Sequence, residues 1–166
     1  MMSLLTRIGR RDTLAEFERA FPDRLRDARR LSDGGRSYWS VYTFGYVVEI
    51  VLKAAYCRLN GLLDGDDAWP LVSSARSRAC FLNIARQARN LHDLVFWCEL
   101  VIAERAYRGM APLPTLSLRL ADEVRTVAMN WQEYMRYHDA VDASGECECV
   151  SLSVSWIVQH YPALWR

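Results

Sequence analysis

The chain has 166 residues, 51% of them hydrophobic, and a formal net charge of +1. A chain of this length buries about 70% of its unfolded surface, enough for one core and one domain. Its near-neutral balance creates no overall field that demands nucleic acid. The longest apolar stretches, from Tyr46 onward and from Leu94 to Ala103, are interrupted by Glu49, Lys53 and Glu99, so no membrane span is expected. Charge follows the short apolar start of residues 1–11 rather than preceding it, the reverse of a secretory signal, and a cytoplasmic location is expected. Five cysteines, Cys57, Cys80, Cys98, Cys147 and Cys149, are an odd number in a chain too large to need disulfide staples, and they read as reduced core thiols. Cys147 and Cys149 are too close for a zinc knuckle, so no metal is expected.

Thr13 with Glu16 forms a capping-box signature, and Leu14, Phe17, Phe21, Leu25 and Ala28 recur at helical spacing. This predicts a first helix over about 13–31, kinked or split at Pro22 and ended by Asp33-Gly34-Gly35. Residues 1–36 hold nine Arg against six acids, and residues 111–166 hold four Arg against seven acids. That asymmetry fits either a solvated amphipathic helix or a partner- or RNA-contacting face. Of 21 basic residues, Lys53 alone is lysine. Residues 37–59 are apolar nearly all round, which marks the buried central helix, stopped at Asn60-Gly61. A turn-rich loop follows from Leu62 to Pro70.

Ser74 can cap the next helix, with Cys80, Phe81, Ile84 and Ala88 inside and Arg76, Arg78, Arg86 and Arg89 outside. A new stripe, Leu94, Trp97, Cys98, Val101 and Ile102, ends at Gly109, so this region is two helices or one bent at 90–93. Ala111-Pro112-Leu113-Pro114 is a stiff connector. Leu118, Ala121, Val124, Ala128, Trp131, Tyr134 and Met135 then predict a helix to about Tyr137. The tail, Val150 to Tyr161, fits either an edge strand or a helix; the helix is expected, because a lone strand has nothing to pair with. The fold class is therefore all-α.

Glycine-rich phosphate loops, nucleophile elbows and His-Glu-x-x-His are absent from the sequence. Two of the three histidines lead His-Asp dipeptides, His92-Asp93 and His138-Asp139. These raise a metal-dependent phosphohydrolase, but both sit at predicted helix ends, where Asp is a common cap. Glu49 and Lys53 are spaced i, i+4 on the most buried helix, so an ion pair there marks a polar seam or a subunit interface. Arg136-Tyr137, late in the chain, could donate to that carboxylate.

Taken in order, these pieces carry a resemblance. Phe44-Gly45-Tyr46-Val47-Val48-Glu49-Ile50-Val51-Leu52-Lys53-Ala54-Ala55, then His92-Asp93-Leu94, then Trp131 and Arg136-Tyr137, resemble the prokaryotic HEPN family over roughly residues 36–160. The resemblance implies a HEPN-like bundle of four to six helices over residues 36–166; residues 1–35, which it leaves unexplained, are expected as an Arg-rich helical region packed on that bundle. It implies a homodimer in toxin-antitoxin or phage-defence systems, binding RNA, a cognate antitoxin or another defence protein, with no cofactor. Catalytic members share an Arg-x(4-6)-His motif that two subunits bring together to cut RNA without metal. Here that spacing is met by Arg86 and His92, with Asn90 between them. His92 would then move protons, Arg86 would stabilise charge on the phosphate, and Arg76, Arg78 and Arg89 would contact RNA or a partner.

Two departures favour a non-catalytic module over an endoribonuclease. Six residues on a continuous helix turn through about 600°, so Arg86 and His92 share a face only if the chain bends near Asn90. The toxins often carry a tyrosine two positions after the histidine, where this chain has Leu94. A helical regulator of unrelated ancestry would need only the periodicity.

Overall fold

The computed structural model describes residues 13–88, 90–111 and 113–166. The Arg-rich start, Arg89 and Pro112 of the connector lie outside the described residues. Every regular element among those described is helical, apart from an isolated bridge between Thr13 and Asp67. None of these helices is long and apolar enough to cross a membrane.

Helix α1, Leu14–Asp33, begins with the predicted capping box. The Thr13 hydroxyl accepts the Glu16 amide at 3.3 Å, and the Glu16 carboxylate accepts the Thr13 amide at 2.7 Å. The amides of Leu14 and Ala15, unpaired at a helix start, donate to the Asp66 and Asp64 carbonyls of the acidic loop. The helix runs unbroken through Pro22 rather than splitting there. Pro22 is exposed, so a carbonyl it leaves without a partner can be met by solvent.

Helix α2, Ser37–Leu59, is the central element, and α1 lies along it with Leu14, Phe21 and Ala28 buried. Ser40 stitches the two together by donating to the Ala28 carbonyl at 2.7 Å. Phe44, Val47, Val48, Val51, Leu52, Ala54, Ala55 and Tyr56 of α2 are wholly inaccessible. A helix with no polar face needs neighbours on all sides. α5 (Leu94–Tyr107) and α7 (Ser144–His160) also pack on it, with α6 (Pro114–Asn130) contacting it beside them.

Two predicted helices stop early, each for a local reason. After the short α3 (Trp69–Ser73), α4 spans only Ala75–Phe81. Asn83 turns left-handed (φ 56°), its amide bonds the Cys80 carbonyl and that of Ile84 bonds Ala79. This is a Schellman termination with Asn at the left-handed position. The described residues of 82–93 are therefore irregular, and Ile84 and Ala88 extend no helix. Ser74 makes no side-chain cap. The expected faces of α4 are also exchanged: Cys80 is exposed, Phe81 is 60% exposed, and Ala75 and Ala79 are buried instead.

The expected helix to Tyr137 ends at Asn130, having begun at Pro114 inside the supposed connector, where proline suits the first turn. Its buried residues are Leu120, Val124 and Val127, while Leu118 is 70% exposed. Trp131 is extended, and a separate 3₁₀ turn, Glu133–Tyr137, follows. The break lets the Trp131 indole lie against Gly45 of α2 and donate to the Tyr42 carbonyl at 3.0 Å. The tail is helical, as expected. Cys57, Cys98 and Cys147 are buried, and burial pushes the Cys57 and Cys98 thiols up to about 12. Cys80 and Cys149 are exposed, so the reading of all five as core thiols fails for these two.

A Cβ added at Gly45 would lie 2.1 Å from the Trp131 ring. Alanine gains about 1 kcal/mol of helix propensity over glycine, but moving a packed indole costs about 1–3 kcal/mol. Gly45→Ala should therefore lower the urea midpoint despite its better propensity and alter the tryptophan emission of the folded protein.

Candidate functional site

The site is built from three pieces that the central helix holds together: Tyr46, Glu49 and Lys53 of α2, the irregular segment 82–93, and the 3₁₀ turn. Glu49 is only 5% exposed. Its Oε1 accepts Lys53 Nζ and its Oε2 lies 2.9 Å from His92 Nδ1. Burial works to raise the Glu49 carboxyl, but the His92 hydrogen bond and the Lys53 charge prevail and hold it below the ordinary carboxylate range. The same Glu49 hydrogen bond, opposed by partial burial, raises His92 above an ordinary histidine. The predicted Glu49–Lys53 pair thus exists, with His92 as its third member.

His92 is fixed on every side. Its backbone amide donates to Asn90 Oδ1 at 2.9 Å, and its ring meets Tyr46 edge-on at 6.5 Å. Its Nε2 lies 3.6 Å from Glu133 Oε2 on the 3₁₀ turn. Glu133 also accepts the Asn90 amide at 3.2 Å and Arg136 at 3.1 Å. Arg136 therefore serves Glu133 rather than Glu49, as i, i+3 spacing within one turn dictates. Tyr137 is 74% exposed, with the Arg136 guanidinium 4.8 Å over its ring.

Arg86 and His92 do come together. Along with Asn90, Arg125, Trp131 and Glu133 they line a cleft of about 260 Å³ between the irregular segment, α6 and the 3₁₀ turn. The bend that the sequence required follows the end of α4: none of the described residues of 82–93 is helical. Arg86, however, is engaged: its Nε and Nη2 both reach the Asp93 carboxylate at 3.2–3.3 Å. Asp93 also caps α5, accepting the Phe96 amide at 3.1 Å. The helix-end reading of His92-Asp93 thus holds. His138 lies apart, edge-on to Tyr134 at 5.5 Å.

Of the three arginines expected to contact RNA or a partner, Arg89 falls outside the described residues and Arg76 is exposed on α4. Arg78 turns inward. It grips the fully buried Glu104 at 2.8 and 2.9 Å between the Phe81 and Tyr107 rings, while Arg108 holds the same carboxylate at 2.8 Å. A buried carboxylate needs such partners, so Arg78 is part of the architecture. Sequence reading missed Glu104, Glu133 and the second role of Asp93. The signal for Glu133 was its i, i+3 spacing to Arg136; Arg78 and Glu104, 26 positions apart, carried none.

Chemically, the cleft offers a histidine whose protonated form Glu49 favours and an arginine whose Nε–Nη2 edge is held by Asp93. Compared with known proteins, the chain matches no family model, no curated protein and no solved structure.

Removing the Glu49 charge leaves Lys53 and His92 without their shared anion, and breaking a buried pair from one side costs about 3–5 kcal/mol. Lys53 keeps a little solvent access, 11% of its side chain, so Glu49→Gln should lose about 3 kcal/mol of unfolding free energy in urea, the low end of that range. The His92 pKa should fall in the same variant, read by proton NMR. In the wild type, a carboxylate held low contributes stability above its unfolded pKa and loses it as pH falls through the folded value. The acid limb of unfolding should therefore flatten in Glu49→Gln.

Proposed function

We propose that this chain is a HEPN-like helical module of a prokaryotic defence or toxin-antitoxin system, a homodimer that binds RNA or a cognate partner protein without cutting RNA. The sequence order of the α2 motif, His92-Asp93-Leu94 and Arg136-Tyr137 supports the kinship, and the bundle with α2 at its centre is compatible with it. The observation that carries the non-catalytic reading is the occupancy of both motif residues. Arg86 gives its fork to Asp93, and His92 gives Nδ1 to Glu49. A phosphate could take the Nε–Nη2 edge of Arg86 only by displacing the carboxylate that caps α5. A raised histidine also favours the protonated form, which has no lone pair with which to act as a base.

One observation favours a second reading. Arg86, Asn90 and His92 line the same cleft, the geometry from which a metal-independent endoribonuclease would draw its acid and its phosphate contact once two subunits met. Incubating purified protein with labelled RNA in EDTA separates the two. The binding reading expects intact RNA, with wild type and His92→Ala indistinguishable, and a dimer by light scattering. Cleavage in EDTA that disappears in both His92→Ala and Arg86→Ala would establish the nuclease instead, and a strict monomer would count against the HEPN-like assembly altogether.

A further inference from the structure

His92 stands between carboxylates on two different elements, with Glu49 Oε2 2.9 Å from Nδ1 and Glu133 Oε2 3.6 Å from Nε2. A neutral imidazole carries one N–H and can serve one of them; only the imidazolium donates to both. The nearer and more buried carboxylate, Glu49, keeps the remaining proton on Nδ1 when the ring is neutral. Nε2 then turns a lone pair toward the Glu133 carboxylate, and attraction becomes repulsion. We propose that His92 is a proton-operated clasp, tying the 3₁₀ turn to the central helix and so controlling access to the cleft that the turn lines with α6 and the segment carrying His92.

The other titratable and charged groups facing this ring come from four parts of the chain. From α2 come Tyr46, whose hydroxyl is raised by burial, Glu49, held low, and Lys53, the ammonium partner of Glu49. From segment 82–93 come Arg86 and Asp93, paired with each other, and Asn90, which is uncharged. From the 3₁₀ turn come Glu133 and Arg136, also paired, and from α6 the lining residue Arg125. Histidine is the side chain whose ordinary titration falls in this range.

The sign follows from the raised folded pKa of His92. The clasp's contribution is complete below the unfolded value of about 6.5 and is lost as pH rises through the folded one. When it opens, Glu133 keeps Arg136 and Asn90, and Tyr38 still donates to the Met135 carbonyl at 2.8 Å. The opening is thus a loosening of the turn over the cleft, with the bundle intact. It bears on the proposed function only through what the cleft serves, and it can be measured with no ligand present.

The test is amide hydrogen exchange of the full chain at about pH 6 and about pH 8.5, corrected for intrinsic rates. The ring and Glu133 are each roughly a quarter to a third exposed, and an ion pair this exposed contributes little, so protection over 131–138 should fall about 1.4- to fivefold at the higher pH. His92→Gln should show the lower protection at both pH values. His138→Gln, which alters the other histidine near this turn, should keep the wild-type response. Should His92→Gln fail to fold, Glu133→Gln supplies the check: its amide can donate to the Nε2 lone pair, so protection should persist at high pH. Protection that is independent of pH in the wild type, or equally dependent on it in either the His92→Gln or the Glu133→Gln variant, overturns the clasp while leaving RNA or partner binding to be judged separately.

Discussion

One carboxylate organises the polar half of this molecule. Helix α2 is apolar nearly all round and carries Glu49 among its buried residues, and an isolated buried charge would cost many kcal/mol. Two cations answer it. Lys53 comes from the same helix at the i+4 position, where α-geometry brings it within reach automatically. His92 must be delivered from elsewhere in the chain, and that delivery dictates the conformation of segment 82–93. Asn90 holds the His92 amide, Glu133 faces its second nitrogen, and Arg136 steadies Glu133. The irregular segment and the 3₁₀ turn beside the cleft are thus both linked to a single buried oxygen pair.

Glu104 shows what the same problem looks like when it is solved without a titratable partner. It is fully buried on α5 and gripped by Arg78 and Arg108, with aromatic rings on either side of Arg78. Guanidinium groups remain charged at any physiological pH and hold a carboxylate through a rigid fork. That cluster is a permanent fastening. The Glu49 cluster has an imidazole where the other has arginines, so its strength depends on a proton. The difference between the two lies in residue chemistry rather than depth of burial, and it separates a structural ion pair from one that can respond to conditions.

The helical class, the capping box at Thr13, the central position of 37–59 and the Glu49–Lys53 pair were all legible because each is local, a matter of spacing within one element. The errors fell where a distant contact overrode a local pattern. Ile84 and Ala88 continue a helical stripe, yet Asn83 ends the helix, and asparagine is a weaker left-handed signal than glycine. Trp131 fits the stripe of its helix as well, yet the chain breaks there to place the indole against Gly45, and only the partner explains that glycine. Arg78 looked like a surface cation, because nothing in its neighbourhood announces a carboxylate on a helix that follows much later. Likewise Arg86 and His92 could be singled out by spacing, whereas their occupation by Asp93 and Glu49 could be seen only in three dimensions.

That occupation bears on what the cleft can accept. An anion entering beside Arg86 would meet the Asp93 and Glu133 carboxylates, and it would draw Arg86 away only at the cost of the α5 cap, worth about 1 kcal/mol. The other cations along the way in are Arg125, itself paired with Asp122 at 2.8 Å, and His92 when protonated. Protonation of His92 therefore does two things that pull against each other. It supplies a positive charge for an incoming phosphate, and it fastens the turn that narrows the approach. An anionic partner able to bond Nε2 would take the place of Glu133 and keep the proton on the ring, so binding and opening would be coupled through one nitrogen atom. A ligand without that negative charge would gain nothing from the exchange.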